Sequence, residues 1–117
     1  VFNFYSANDD CHLKNIAFLM NKDALWSLSP GYDITFPYDY NKVWERSQPI
    51  SINGKIKTNE ITVQDFIQIG KKYGIKRVDS IIKEVCEAIL NFEELAIKYK
   101  LPEHKFLAIK SHFRLEL

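Results

Sequence analysis

One stretch limits the folds open to this chain more than any other. Val78, Ile81, Ile82, Val85, Ile89, Phe92, Ala96 and Tyr99 recur at helical spacing and fall on one face of a helix. Lys83, Glu84, Glu87, Glu93, Glu94 and Lys98 take up much of the remainder. Such a helix must lay its apolar stripe on another surface. The flanking sequence predicts more helix. Thr62 with Asp65 resembles a capping box in which Asp replaces Glu. The helix it opens is expected to run to Tyr73 and stop at Gly74. Pro102 fits the first turn of a last helix, and Phe106, Ile109 and Phe113 give that helix its buried stripe. Residues 61–117 therefore read as about three helices.

Residues 1–60 have a different character. VFNFYSA is apolar and fits the tail of a helix, and residues 8–15 are polar and fit a loop. Residues 16–20 form a short apolar run expected to be buried. Asn21, Lys22 and Asp23 suit a turn, and residues 24–29 form a second run. Two such runs about a turn argue for a β-hairpin. Pro30, Gly31 and Pro37 then break any periodicity, so a long loop is expected to about Ser47. Residues 50–52 fit a short strand ended by Asn53-Gly54, a strong turn signal. The hairpin and the aromatic linker (Phe36, Tyr38, Tyr40, Trp44) can supply part of the surface the helices need. The expected class is α+β, mainly α.

Composition narrows the function classes. The chain has 117 residues, about one small domain. Sixteen basic residues against fifteen acidic ones leave a net charge of +1, which excludes a polybasic nucleic-acid tail and an acidic solvating tail. A hydrophobic fraction of 46% is enough to offset ordering entropy. No apolar run approaches the ~20 residues of a membrane span, and no signal peptide is visible. Cys11 and Cys86 make no disulfide framework, and free thiols in a reducing cytoplasm are the expectation. Neither belongs to a CxxC pair, which argues against zinc. The sequence opens at Val1 in an apolar stretch, as a piece of something longer would.

The candidate chemistry lies in residues 8–33. Asp10 and Asn15 are five positions apart in a polar loop followed directly by a strand. That is the spacing of a protein-kinase catalytic loop. A carboxylate there accepts or orients the attacking hydroxyl. An amide oxygen ligates Mg²⁺, which prefers hard oxygen donors. A second acid must hold the metal from the far side of a hairpin, and Asp33 follows the hairpin in Pro30-Gly31-Tyr32-Asp33. Asp and Asn a few residues apart also fit a plain loop, because both favour turns. The order of loop, hairpin and Asp is what favours the kinase alternative.

Residues 8–15 (NDDCHLKN), a hairpin, and residues 28–34 (LSPGYDI) together resemble the C-terminal domain of the HipA family. These are bacterial serine/threonine kinases that act as toxins of toxin–antitoxin modules. The family pattern is close to DDHxKN and, after the hairpin, LSPAYD. Residues 51–55 (SINGK), Ile61-Thr62 and the later helices resemble the same family, so the similarity covers nearly the whole chain. The resemblance implies the C-terminal lobe of a protein-kinase-like fold, with a β-hairpin carrying the catalytic and Mg-binding loops. It makes residues 1–117 one subdomain, with catalytic loop, hairpin, Mg loop and linker in 1–60 and helices in 61–117.

The resemblance also implies roles. Asp10 is the catalytic carboxylate. Asn15 and Asp33 hold Mg²⁺ and, through it, ATP. His12, Leu13, Lys14 and Tyr32 border the ATP, Lys14 as a point charge and Leu13 and Tyr32 by packing. Cys11 departs from the family, which has small residues or Asp there. The implied activity is ATP-dependent phosphorylation of a protein Ser or Thr. An aminoacyl-tRNA synthetase is the family's target, a helix-turn-helix antitoxin its partner, and DNA is reached only through that antitoxin. The expected location is cytoplasmic, with no membrane contact.

No Gly-rich loop is present, since the glycines are 31, 54, 70 and 74. The N-terminal nucleotide-binding lobe is therefore expected to be absent. The chain is then an excised fragment or half of a split kinase, inactive until that lobe is supplied. Two other classes compete: a non-catalytic helical module that binds an antitoxin or the missing half, and a metal-dependent phosphohydrolase using Asp10, Asn15 and Asp33. Bland roles are expected for the other polar residues. His104 and His112 fit a surface or a cap. Asp9 is an alternative base that spacing disfavours. Asp39 fits a turn. The aromatic linker fits packing better than peptide binding. Lys71, Lys72, Lys76 and Arg77 fit a solvated helix end better than a phosphate contact.

Overall fold

The structure, a computed structural model, describes residues 1–37 and 47–115. Tyr38, Asp39, Tyr40 and Trp44 lie outside them. A short helical turn, α1 (Phe2–Tyr5), leads into the polar loop. The first hairpin pairs β1 (Phe18–Met20) with β2 (Trp26–Leu28), Phe18 opposite Leu28 and Met20 opposite Trp26. Its loop is held by Asn21, whose Oδ1 accepts from the N–H groups of Asp23 and Leu25, both at 2.9 Å.

A second hairpin pairs β3 (Ser47–Ile52) with β4 (Lys55–Lys57). Asn53 and Gly54 have φ of 52° and 81°, as a tight turn with two left-handed residues requires. The register shifts between Ser47 and Ile52. Pro49 sits in that irregular stretch, where a missing N–H is tolerated.

Helix α2 (Val63–Tyr73) begins with the expected capping box and ends at Gly74 with φ 70°. The amphipathic stretch after it is two helices rather than one: α3 (Val78–Leu90) and α4 (Phe92–Lys98) meet at Asn91. Asn is a weak helix former that favours boundaries. Helix α5 (Glu103–Lys110) follows Pro102. Among the described residues the class is α+β, with four helices besides α1 and two small antiparallel hairpins.

The core gathers Phe4, Tyr5, Ile61, Phe66, Ile82, Cys86 and Ile89. Phe4 and Phe66 meet edge to face at 5.4 Å between ring centroids. A Cβ at Gly70 would overlap Val78 Cγ2, so that glycine lets α2 approach α3. Of the buried stripe expected on the last helix, Phe106 and Ile109 lie on α5 but are only half-buried, and Phe113 falls beyond its end; Phe106 stacks on Phe92 and Phe113 meets Phe92 edge to face. Both cysteines are free and buried.

The first hairpin corrects one expectation. Residues 16–20 are not a buried run: Phe18, Leu19 and Met20 are each more than half exposed, as are Leu25, Trp26 and Leu28. Two three-residue strands present an apolar surface, and nothing among the described residues encloses it.

Candidate functional site

The polar loop is shaped by its own backbone. Asn8 is buried, and its N–H and Nδ2 donate to Asn3 O at 2.9 Å and Asn3 Oδ1 at 3.3 Å. Asp10 O accepts from His12 N–H at 2.9 Å and from Asn15 Nδ2 at 3.1 Å. Asn15 N–H donates to His12 O at 3.0 Å, closing one tight turn over Leu13–Asn15. The side-chain bond engages Asn15 through its nitrogen, leaving the oxygen as the atom it can offer a cation. His12 Nε2 lies 4.0 Å from Asp10 Oδ1.

The hairpin returns the second loop to the first. Tyr32 Oη donates to Lys14 O at 2.8 Å. Asp33 follows with φ 53°, a left-handed conformation that Asp tolerates better than most residues. A Cβ at Gly31 would lie 3.1 Å from Ile34 Cδ1. That contact is tight, and glycine relieves it.

His12, Asn15, Tyr32 and Asp33 line one cavity of about 110 Å³. Asp10, Leu13 and Lys14 are not in its lining. The Asp10 side chain is 62% exposed and Leu13 is 72% exposed, and Lys14 is also on the surface. Asp10 joins the group through its carbonyl bond to Asn15, and Lys14 through its carbonyl bond to Tyr32.

The donor set suits a hard cation. Asn15 and Asp33 offer oxygen, and Mg²⁺ is usually held by one or two such groups with water and phosphate completing its shell. Among the described residues no group of three or more His, Cys, Asp or Glu forms a metal cage. His12 Nδ1 and Asn8 Oδ1, from two residues of the cavity wall, are buried without a hydrogen-bond partner.

Asp9, the other acid of the loop, is already engaged. Both its oxygens accept from Arg114 Nη2, at 2.9 and 2.7 Å. Its Oδ1 also accepts from Gln48 Nε2 at 2.9 Å. Cys11 Sγ donates to Gln48 Oε1 at 3.3 Å. Burial pushes the Cys11 thiol above its ordinary pKa, so it stays protonated and able to donate. Gln48 and Arg114 carry no sequence signal, because they lie 39 and 105 positions away from their partner Asp9.

Elsewhere, His104 is exposed. Phe36 packs edge-on against His112 at 5.4 Å. Lys71, Lys72, Lys76 and Arg77 are exposed; Lys72 Nζ lies over the Tyr73 ring and Arg77 faces Glu84 at 3.8 Å. No helix among the described residues is long and apolar enough to cross a membrane.

Comparison with known proteins gives one finding. The sequence model of the HipA-like C-terminal domain matches residues 1–92. No curated protein and no solved structure matches the chain. The match spans the polar loop, both hairpins, α2 and α3, so the chain belongs to the HipA-like C-terminal domain family.

Proposed function

We propose that this chain is the C-terminal catalytic part of a HipA-like, ATP-dependent protein serine/threonine kinase. One observation carries the proposal: the first hairpin brings Asn15 and Asp33, from two separate loops, to the wall of a single cavity. Family membership adds to it, since HipA-type proteins include kinases. The residues then divide the work. Asp10 orients the substrate hydroxyl and takes its proton as the oxygen attacks the γ-phosphorus; the bond to the β–γ bridging oxygen breaks and ADP leaves. Asn15 and Asp33 hold Mg²⁺. When bound between them, Mg²⁺ would supply charge neutralisation for the phosphate oxygens. His12 and Tyr32 border the nucleotide from the cavity wall, and Leu13 and Lys14 from the exposed turn, with Lys14 adding positive charge.

The whole chain is proposed as one catalytic subdomain, with its catalytic elements in 1–60 and its helical support in 61–117. Phosphoryl transfer also needs a phosphate-cradling loop and a lysine for the α- and β-phosphates, and a nucleotide-binding lobe is proposed to supply them. The exposed apolar hairpin beside the site suits that lobe. The proposed setting is a cytoplasmic toxin–antitoxin system with a protein substrate, an aminoacyl-tRNA synthetase by family resemblance. A helix-turn-helix antitoxin is the proposed partner, and DNA is met only through it.

The test is phosphate transfer from MgATP to protein, by the chain supplied with its nucleotide lobe. Asp10→Asn and Asp33→Asn should each reduce the rate by about 100-fold or more. Unchanged transfer in both variants contradicts the proposal. Metal-dependent phosphate release by the chain alone would instead mark a phosphohydrolase. Partner binding without any transfer, indifferent to both substitutions, would mark an interaction module.

A further inference from the structure

We propose that Arg114 is a positioning residue for the loop that carries Asp10, His12 and Asn15. The consequence for activity rests on the kinase proposal above; the consequence for loop order does not. Arg114 lies after α5, beyond the residues 1–92 matched by the family. It reaches back across the fold. Its backbone N–H donates to Tyr5 O at 2.9 Å and its Nη1 donates to Phe4 O at 2.8 Å. Its guanidinium lies 5.3 Å above the Phe4 ring, and its Nη2 grips Asp9.

The grip continues into the loop. From Asp9 the hydrogen bonds run through Gln48, which is buried, to the Cys11 thiol. The residues on either side of Asp10 are therefore both fastened to the body of the protein. What remains at position 10 is a backbone carbonyl that anchors His12 and Asn15, and a carboxylate left exposed. The Arg114 and Asp9 side chains are only 16% and 24% exposed, so water competes weakly for their charge-assisted bonds. Removing one partner leaves the other charge poorly solvated, and the loop must move to recover water.

Amide hydrogen exchange on the 117-residue chain tests this. Arg114→Met keeps an unbranched stem over Phe4 but donates no hydrogen bond. It should speed exchange at His12 and Asn15 by about tenfold or more, with Cys86 in α3 changing less than about twofold. Arg114→Lys should restore part of the protection, because an ammonium reaches Asp9 but lacks the fork that also holds Phe4 O. Asp9→Asn should speed the same two amides. Adding Arg114→Met to Asp9→Asn should change them by clearly less than the product of the two single effects, since both weaken the same Arg114–Asp9 contact.

Unchanged loop exchange, equal acceleration in the loop and α3, or multiplying effects in the double variant would each overturn the proposal. If Arg114→Met does not fold, the Lys and Asn variants decide by the same comparison. With the nucleotide lobe present, Arg114→Met should lower kcat about tenfold while KM for MgATP stays within about threefold. A wild-type protein that transfers no phosphate, with loop exchange still responding as described, would refute the kinase proposal and leave the positioning role standing.

Discussion

Asp9 and Asp10 differ in surroundings rather than in chemistry. Asp9 is gripped by Arg114 and Gln48, whereas Asp10 keeps an exposed carboxylate and lends the loop its carbonyl. Counting five positions back from Asn15 singles out Asp10, because spacing within one loop is local information. The engagement of Asp9 is not legible in the same way, since it depends on where the chain returns more than a hundred residues later. Asp65 shows a third environment. Its buried carboxylate accepts from Asn53 Nδ2 at 3.0 Å, Lys55 Nζ at 2.9 Å, and the N–H and hydroxyl of Thr62 at 2.7 and 3.0 Å. These bonds hold its pKa well below the ordinary value of 3.8, the Asn53 bond contributing most and Lys55 next. A folded-state pKa below the unfolded one adds stability that is complete above the unfolded value and lost as pH falls toward the folded one. Thermal melts should therefore show wild type above Asp65→Asn at pH 7, with the gap narrowing below about pH 4. A gap that stays constant down to pH 2 would contradict this role for the carboxylate.

At the scale of elements, ends were easier to foresee than partners. The capping box at Thr62, the stop at Gly74 and the Asn53-Gly54 turn depend on a few adjacent residues, and each appears where the sequence places it. Nothing local in the sequence announces strand β4. Lys55–Lys57 has one apolar residue among three, and becomes a strand only because β3 lies beside it. The split at Asn91 was also hidden, because the apolar spacing runs on through it while the backbone does not. The end of α4 carries a residue working against its position. Leu101 N–H donates to Ala96 O at 2.8 Å, and Lys100 between them has φ 54°, the left-handed step of a Schellman close. A Cβ makes that step costly, and glycine relieves it. Lys100→Gly should stabilise the chain by about 0.5–1 kcal/mol in urea unfolding. Destabilisation would mean that Lys100 contributes through its side chain.

Over the whole molecule, the apolar core and the apolar surface are separated. Phe4, Tyr5, Phe66, Ile82 and Ile89 close around α1, α2 and α3, while Phe18, Met20, Trp26 and Leu28 stand on an open hairpin beside the candidate site. Apolar content alone suggested that both sets would be buried, because sequence pattern does not say which apolar run meets which. Exposed clusters of this kind mark contact surfaces. Phe18→Ser with Trp26→Ser should change the stability of the chain by less than about 0.5 kcal/mol, yet abolish phosphate transfer on mixing with the nucleotide lobe. Loss of stability without loss of transfer would make the hairpin part of the core instead. The proposed site depends on two loops being returned to one cavity wall, where Asn15 and Asp33 would offer oxygens to one cation. Titrating the ¹⁵N-labelled chain with Mn²⁺ and following its amide signals tests that convergence most directly. Selective broadening at Asn15 and Asp33, lost in both Asn15→Ala and Asp33→Ala, is the predicted result; broadening that ignores these two residues, or survives both substitutions, would contradict it.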